Sequence, residues 1–518
     1  MRGGLRDIVM VSSLSVRAAR AWARCSGDVG AVLGAERTRS RSGSGSLRSG
    51  SPRCVSLTGD VEADVEAYAA CGACDSQGTV LGRARKGKAR PARRCERCGG
   101  RGVAPGPAPE ARRTAAPAVA IAGGGIGGLA LALALQQRGV ECRVYERDAS
   151  AGARAAGYGL TVQQGGRALD ALGALDAALK AGARTTRHVS VAAATGDVLG
   201  VHGEDAGKRD GAARRGATHL PRAALRRVLL ERLAPGTIAW GAALSGAVAA
   251  EGGGGGYDLS FADGATARCK VLVGADGIRS KTRQLVVQGD DPHRDLGVSV
   301  ILGFAPDAGA PSGRGDCFEC VDGIARAYTM PYDGSRTMWQ LSFRHDHAVG
   351  PLEAGMAPAA LKDVAAAVVA GWAGCPAIAD LVASTAAADV TGYPLTDRLP
   401  PVDRPAGAVA LLGDAAHPMA PFKAQGANQA LLDAVALARR LYRVEGIRPP
   451  GLPPPPGGFR ALTDALDAYW AEAAPRAARK VDASRRAASL LHGPAALAIS
   501  ENLTRGAAAA KADAAAPP

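Results

Sequence analysis

The stretch Ala118-Val119-Ala120-Ile121-Ala122-Gly123-Gly124-Gly125-Ile126-Gly127-Gly128 decides the fold class. Its first five residues are an apolar run of the buried-strand type. Gly123 then permits a tight turn, Gly125 lets the backbone approach a pyrophosphate, and Gly128 lets helix and strand pack closely. Leu129 to Arg138 reads as a helix that Gly139 ends. Its N-terminus offers free N–H groups and a positive dipole end to phosphates. A second strand, Cys142-Arg143-Val144-Tyr145, leads to Glu146, 23 residues after Gly123, where an acid accepts from a ribose hydroxyl. Strand, helix, second strand and terminal acid in register outweigh the other reading, a glycine turn in an Ala-rich helical hairpin.

Two later stretches repeat the strand-to-glycine pattern. Val271-Leu272-Val273-Gly274-Ala275-Asp276-Gly277-Ile278-Arg279-Ser280 is one, with Arg283 close behind. Val409-Ala410-Leu411-Leu412-Gly413-Asp414-Ala415-Ala416-His417-Pro418 is the other. It continues through Pro421-Phe422-Lys423-Ala424-Gln425-Gly426-Ala427-Asn428-Gln429 into a helix from Ala430 to about Arg440.

In order and spacing these three motifs resemble the class A flavoprotein monooxygenases, the para-hydroxybenzoate hydroxylase-like family. The likeness runs from about Pro117 to about His492. It implies an α/β fold: a Rossmann-like FAD-binding domain interleaved with a β-sheet substrate domain, followed by C-terminal helices. It further implies that Gly123, Gly125, Gly128 and Glu146 hold the ADP half of FAD. Asp414 is expected at the ribityl chain. Pro421, Gly426, Ala427 and Asn428 are expected along the isoalloxazine, and Asp276 at FAD and the nicotinamide cofactor. Arg222, in Leu220-Pro221-Arg222, stands where the family places a flavin-contacting arginine; an ordinary helix-start base is the equal alternative. The family usually reads glycine where this chain has Ala424, which puts the efficiency of oxygen activation in doubt.

The expected reaction is single-component oxygenation. NAD(P)H reduces FAD, O2 adds at flavin C4a, and the hydroperoxide hydroxylates or epoxidises a small aromatic or isoprenoid substrate. The cofactor carries the hard chemistry and the protein positions it. No catalytic base is nameable, and His417 reads as structural. The competing readings are a non-oxygenating flavoprotein reductase, or a redox or chaperone-like adaptor with an idle FAD domain.

Between the motifs, Tyr257 to Phe261 followed by Asp263-Gly264 reads as a hairpin. Alternating segments over 297–345 suit a sheet that roofs a pocket, within a substrate region of roughly 295–395. His345 and His347 read as a surface pair. Cys317-x-x-Cys320 has no partner pair nearby and reads as ordinary reduced cysteines.

Outside the enzyme body the composition changes. The 518-residue chain carries +15, and residues 1–113 hold +11 of it. A basic surface, and with it an acidic or protein partner, therefore belongs to the N-terminus; nucleic acid is not expected. Residues 1–60 are Arg- and Ser-rich and acid-poor, suiting a disordered transit peptide. A plain disordered tail or a misplaced start codon are the alternatives. A plastid is the expected compartment, ahead of mitochondrion or cytoplasm. No apolar run is long enough to span a membrane.

Residues 61–102 hold Cys71-x-x-Cys74 and Cys95-x-x-Cys98, whose spacing suits one tetrahedral zinc site. The second half, Cys95 to Gly102, resembles the CxxCxGxG repeat of DnaJ-type zinc-finger proteins. In the first half Ser76 replaces a glycine. A redox dithiol pair or an artefact of gene prediction are the alternatives. The basic run Arg83 to Arg94 reads as a solvated loop. Residues 103–116 read as a Pro-rich linker, 117–492 as the FAD-binding monooxygenase domain, and 493–518 as an Ala-rich tail.

Overall fold

The computed structural model describes residues 67–81, 92–107, 116–153, 157–185, 187–203, 217–250, 256–289, 291–307 and 315–498. The transit-like leader, most of the basic run, linker residues 108–115 and the tail from 499 onward lie outside the described residues.

The apolar runs seen in the sequence form a five-stranded parallel sheet. Its order is Ile238–Trp240, Cys142–Glu146, Val119–Ala122, Val271–Gly274, Val409–Leu411. Each motif leaves this sheet at the carboxyl end of a strand, which is where open α/β sheets bind ligands. Helix α1 (Ile126–Gln136) is buried on nearly every side, because its face repeats Leu and Ala without a polar stripe. Short helices α2 (Gly166–Ala171) and α3 (Leu175–Lys180) precede α4 (Arg222–Leu230), and α5 (Lys281–Val286) follows the second motif.

A seven-stranded mixed sheet forms the second half. Its order is Val198–Gly203, Arg187–Ala192, Cys317–Val321, Ala325–Pro331, Arg336–Arg344, Arg294–Pro306, Thr391–Asp397. The sheet thus reaches back to residue 187, earlier than the region expected from the alternating segments. Side chains alternate strictly on the strand Arg336–Arg344. Trp339, Leu341 and Phe343 pack under α6 (Pro358–Val369) and α7 (Pro376–Ser384). Met338 and Gln340 face the opposite way, into a cleft.

Two long helices close the molecule. α8 (Gly426–Leu441) packs along α1. α9 (Leu462–Leu491) bridges both sheets. Its Tyr469 hydroxyl donates to the Leu411 carbonyl at 2.9 Å, and its Arg485 grips Asp397. Beyond it, the short turn Pro494–Leu497 buries Ala496, so the stretch expected as tail begins with packed residues. Among the described residues no helix is long and apolar enough to cross a membrane.

The cysteine-rich module has almost no apolar core of its own. Strand Tyr68–Ala70 pairs antiparallel with Val103–Pro105, and Thr79–Leu81 with Ala92–Arg94. Residues 103–105 are therefore not linker: Val103 is fully buried and closes the module.

Candidate active site

The first glycine turn is shaped by contacts that no side chain could share. Gly123 has φ +104°, and a Cβ there would lie 2.5 Å from the Ala275 carbonyl oxygen. A Cβ on Gly128 would meet the Gly123 carbonyl at 2.0 Å. Gly125 caps α1 with extended backbone, leaving the first N–H groups of the helix open toward the cleft. Glu146 is 7% exposed and accepts from the Gly124 N–H at 2.6 Å and the Asp148 N–H at 2.9 Å. It holds the turn and still has lone pairs for a hydroxyl. Sequence reasoning missed Arg226. One helical turn after Arg222, it is buried and donates to the Gly124 carbonyl at 2.9 Å and the Ala151 carbonyl at 2.7 Å. No local pattern marks it, because its partners are backbone carbonyls from other parts of the chain.

Arg222 and Asp414 line the same cleft. Arg222 is hydrogen-bonded to the Tyr158 side chain. Desolvation raises the Asp414 carboxyl above its ordinary range, while His417 and Arg222 act against that. Asp276 also lines the cleft, but both its oxygens are engaged by its own loop. It accepts from Ser280 Oγ at 2.5 Å, Thr282 N–H at 2.9 Å and Thr282 Oγ1 at 3.0 Å. Arg283 is 1% exposed and ties the second motif to the third: it donates to Asp291 and to the carbonyls of Ala416 and Leu399.

His417 has the structural place read from the sequence. Its Nε2 meets Asp433 Oδ2 at 2.7 Å, and Asp433 also takes the Gly413 N–H at 3.0 Å and Arg476 at 2.7 Å. Burial would raise the Asp433 carboxyl; His417, Arg476 and the Gly413 N–H hold it below the usual range.

The loop that starts at Pro421 carries a strained residue. Ala424 has φ +51° and ψ +39°, the left-handed region that glycine occupies freely. Asn428 is expected along the flavin, yet its side chain is fully engaged by protein. It donates to the carbonyls of Ala424 at 2.7 Å and Thr161 at 2.9 Å, and accepts from the N–H groups of Gln163 at 2.9 Å and Gly165 at 2.8 Å. Pro421, Gly426 and Ala427 line the cleft, and Gly426 starts α8 facing Asp414.

One cleft of about 4040 Å³ connects these loops to the underside of the seven-stranded sheet. Leu302, Met330, Met338 and Leu395 give it apolar walls. A buried polar group stands among them: Glu319 pairs with Arg326, whose guanidinium lies over the rings of Tyr328 and Phe422. The Tyr328 hydroxyl donates to Cys317 Sγ at 3.1 Å, and Cys317 lies 3.3 Å from His219 Nε2. Burial, then His188, draws the His219 imidazole down to about 4, so it is neutral near pH 7. Burial pushes the Cys317 thiol up to about 11. His345 and His347 stand apart from this group at the end of the sheet and are half-buried.

Cys320 corrects the reading of a reduced pair. It forms a disulfide with Cys375, which arrives from the turn before α7, while Cys317 stays a free thiol. The partner lies 55 residues away, beyond the reach of a local spacing rule.

In the module, the sulfurs of Cys71, Cys74, Cys95 and Cys98 all lie within 4.8 Å of one another. The Gly78 N–H donates to Cys74 Sγ at 3.2 Å and the Gly102 N–H to Cys98 Sγ at 3.3 Å. The two halves are equivalent, and Ser76 takes the Gly100 position with φ +61°. The module is docked on the enzyme body. Arg439 of α8 donates to the carbonyls of Gly100 and Arg101, Gln77 donates to the Arg439 carbonyl, and Arg448 pairs with Asp75 at 2.8 Å.

Comparison with known proteins agrees with this geometry. The FAD binding domain family matches residues 116–351 and 402–484. The 3-amino-4-hydroxybenzoate 2-monooxygenase of Streptomyces cremeus is 33% identical over 313 residues, covering 58% of this chain and 73% of that protein. For an enzyme of the same activity from Streptomyces platensis, at 36% identity, the match covers 42% of this chain and spans only 53% of the relative. Among solved structures, an FAD-complexed Klebsiella pneumoniae HpxO variant superposes with a TM-score of 0.60 at 25% identity, covering 73% of this chain and 91% of that one. Pseudomonas aeruginosa PqsL in complex with 2-aminobenzoylacetate gives 0.58 at 25% identity, covering 74% and 98%. The glycine turn at the N-terminus of α1, and the family match over the same residues, lead to one conclusion: the chain belongs to the FAD-binding family of flavin-dependent monooxygenases.

Proposed function

We propose that this chain hydroxylates a small aromatic substrate with NAD(P)H and O2. The observation that carries this is the single cleft: the flavin loops and the apolar underside of the seven-stranded sheet line one continuous space. When bound, FAD supplies the electron and oxygen chemistry. The residues of the chain do the rest. The N-termini of α1 and α8 point at the cofactor's place, suiting phosphates at the first. Met330, Met338 and Leu302 exclude water and suit a flat ring. Tyr328 and Gln340 offer hydrogen bonds to a polar substituent, Arg326 adds a positive field beside Phe422, and the neutral His219, bonded through both ring nitrogens to Thr161 and Thr185, braces the wall behind Cys317. The relatives' aromatic substrates, 3-amino-4-hydroxybenzoate among them, favour the same class. The test is NAD(P)H-driven oxygen uptake by FAD-loaded protein across a panel of hydroxylated and aminated benzoates. Substrate-stimulated uptake with a hydroxylated product is expected; uptake that yields only peroxide with every compound would sink the reading.

We also propose that the four cysteines of the module hold a structural zinc. Tetrahedral Zn–S bonds of about 2.3 Å require sulfur pairs roughly 3.8 Å apart. Cys74–Cys98 and Cys71–Cys95 stand at 3.7 and 4.0 Å. Metal analysis of the full-length protein should return one zinc per chain; none would refute the site. A plastid address rests on the acid-poor leader together with the DnaJ-like module, and a leader–reporter fusion that stays cytosolic would discard it.

A further inference from the structure

Two arginines, one buried and one half-buried, stand at the C-terminal ends of the two helices whose N-termini face the flavin cleft. Arg138 follows α1 and is 1% exposed. It donates to the Ala134 carbonyl at 2.7 Å, while its Nε and Nη2 have no hydrogen-bond partner. Arg439 lies in the last turn of α8. Its Nη2 reaches the Gly100 and Arg101 carbonyls at 3.1 and 2.7 Å, and its Nε is without a partner. A cation at a helix C-terminus gains from the dipole, but a buried guanidinium without a counter-charge is costly. Among the described residues neither arginine has a carboxylate ion pair, and Glu472, which acts on Arg439, is bonded to Arg440.

What faces Arg439 is the cysteine cluster, and Arg138 lies near enough to feel the charges of Arg439 and Cys74. A Cβ added at Gly78 or Gly102 would lie 3.1 or 3.3 Å from the Arg439 guanidinium. These are the glycines whose N–H groups hold Cys74 and Cys98. Arg439 therefore sits between the equivalent halves of the module, directly behind its sulfurs. Burial lowers the Arg439 pKa, and the Cys74 and Cys98 thiolates act against that. Burial, then Arg439, draws Arg138 down to about 9, with Tyr442 and Cys74 opposing.

We infer that the metal–thiolate centre is the counter-ion of half-buried Arg439 and, behind it, of buried Arg138, with Arg439 acting as the positioning residue that links metal occupancy to the two flavin-facing helices. This rests on the zinc reading above. A divalent ion with four thiolates leaves a net charge of about −2, enough to balance both guanidiniums. Without it, two like charges are left together in the interior at the ends of α1 and α8. Those helices pack against each other, so loosening their C-terminal ends shifts the N-terminal turns that meet the cofactor. Linkage makes the effect reciprocal: FAD binding must tighten zinc binding by the same factor.

The test uses the full-length protein and three measurements: zinc content, FAD affinity by fluorescence titration, and zinc release to 4-(2-pyridylazo)resorcinol with and without FAD. Stripping zinc with EDTA and a mercurial should weaken FAD binding at least tenfold while far-UV dichroism is kept. At equilibrium FAD should cut the share of zinc released to the chelator by a comparable factor, a readout that survives if the stripped protein unfolds. Arg439→Gln keeps a donor for the two carbonyls but removes the charge, so both effects should shrink below threefold; Arg439→Lys should restore them. FAD affinity indifferent to zinc together with zinc release indifferent to FAD, or full coupling in Arg439→Gln, would overturn the inference. Absence of zinc in the native protein would instead overturn the metal reading, and with it this one; the metal analysis reports that separately from the FAD titration.

Discussion

The Arg283 guanidinium donates to the Ala416 carbonyl at 2.5 Å, across 133 residues of chain. Through this bond the second glycine motif holds the third in place. The two loops are thus held together by one buried side chain. Replacing Arg283 with Met leaves the carbonyls of Ala415, Ala416 and Leu399 without this donor and leaves Asp291 only the longer pair with Arg398. A loss of about 3 kcal/mol or more is expected, the scale for breaking a buried pair. Urea unfolding of the FAD-free protein measures it. A variant as stable as the parent, with unchanged FAD affinity, would show that the clamp is dispensable.

Ala424 sits in the left-handed region beside Asn428, whose amide bonds its carbonyl. A side chain there costs about 1–2 kcal/mol, partly offset by the unfolded-state entropy that glycine adds. Ala424→Gly should therefore raise stability by up to about 1 kcal/mol, and Ala424→Val should lower it by more than that gain. If the left-handed alanine also slows the step with oxygen, stopped-flow reoxidation of Ala424→Gly should be several-fold faster. Identical reoxidation traces would confine the effect of Ala424 to stability.

His219 gives the fold a dependence on pH. Its folded pKa of about 4 lies below the ordinary imidazole value of 6.5. The unfolded chain therefore binds the proton more readily, and stability falls as pH drops from about 6.5 toward 4. The effect is on the order of 3 kcal/mol at full protonation. His492, also drawn to about 4 by burial, adds to the same window. His219→Gln should flatten the slope of urea midpoint against pH between about 6.5 and 4. A slope equal to that of the parent would remove His219 from the account.

The disulfide between Cys320 and Cys375 joins the seven-stranded sheet to the turn before α7. Closing a loop of 55 residues restricts the unfolded chain, and Cys375→Ala should cost about 2–4 kcal/mol. Thermal unfolding with and without dithiothreitol should separate parent but not variant. Native alkylation followed by peptide mapping that finds both thiols free would disprove the bond.

Much of the site was legible locally. Gly123 and Gly128 could be read because a tight turn and a 2.0 Å approach exclude any Cβ, a demand that leaves its mark on the residue type itself. The cysteine pairs were legible for a similar reason, since two intervening residues set both sulfurs toward one point. Asp276 and Asn428 both line the cleft, but their hydrogen bonds go largely to protein. Arg226 was missed because a helix-borne arginine looks the same whether it faces water or a glycine turn.

The sequence by itself determined the flavin fold and the sulfur tetrad, because both depend on short-range geometry that few residue types satisfy. Tertiary structure alone decided that Cys320 meets Cys375, that Arg283 clamps the third motif, and that Arg439 lies against the cysteine module. Those contacts join segments far apart in the chain, and their energy depends on burial and on partners that no local pattern encodes.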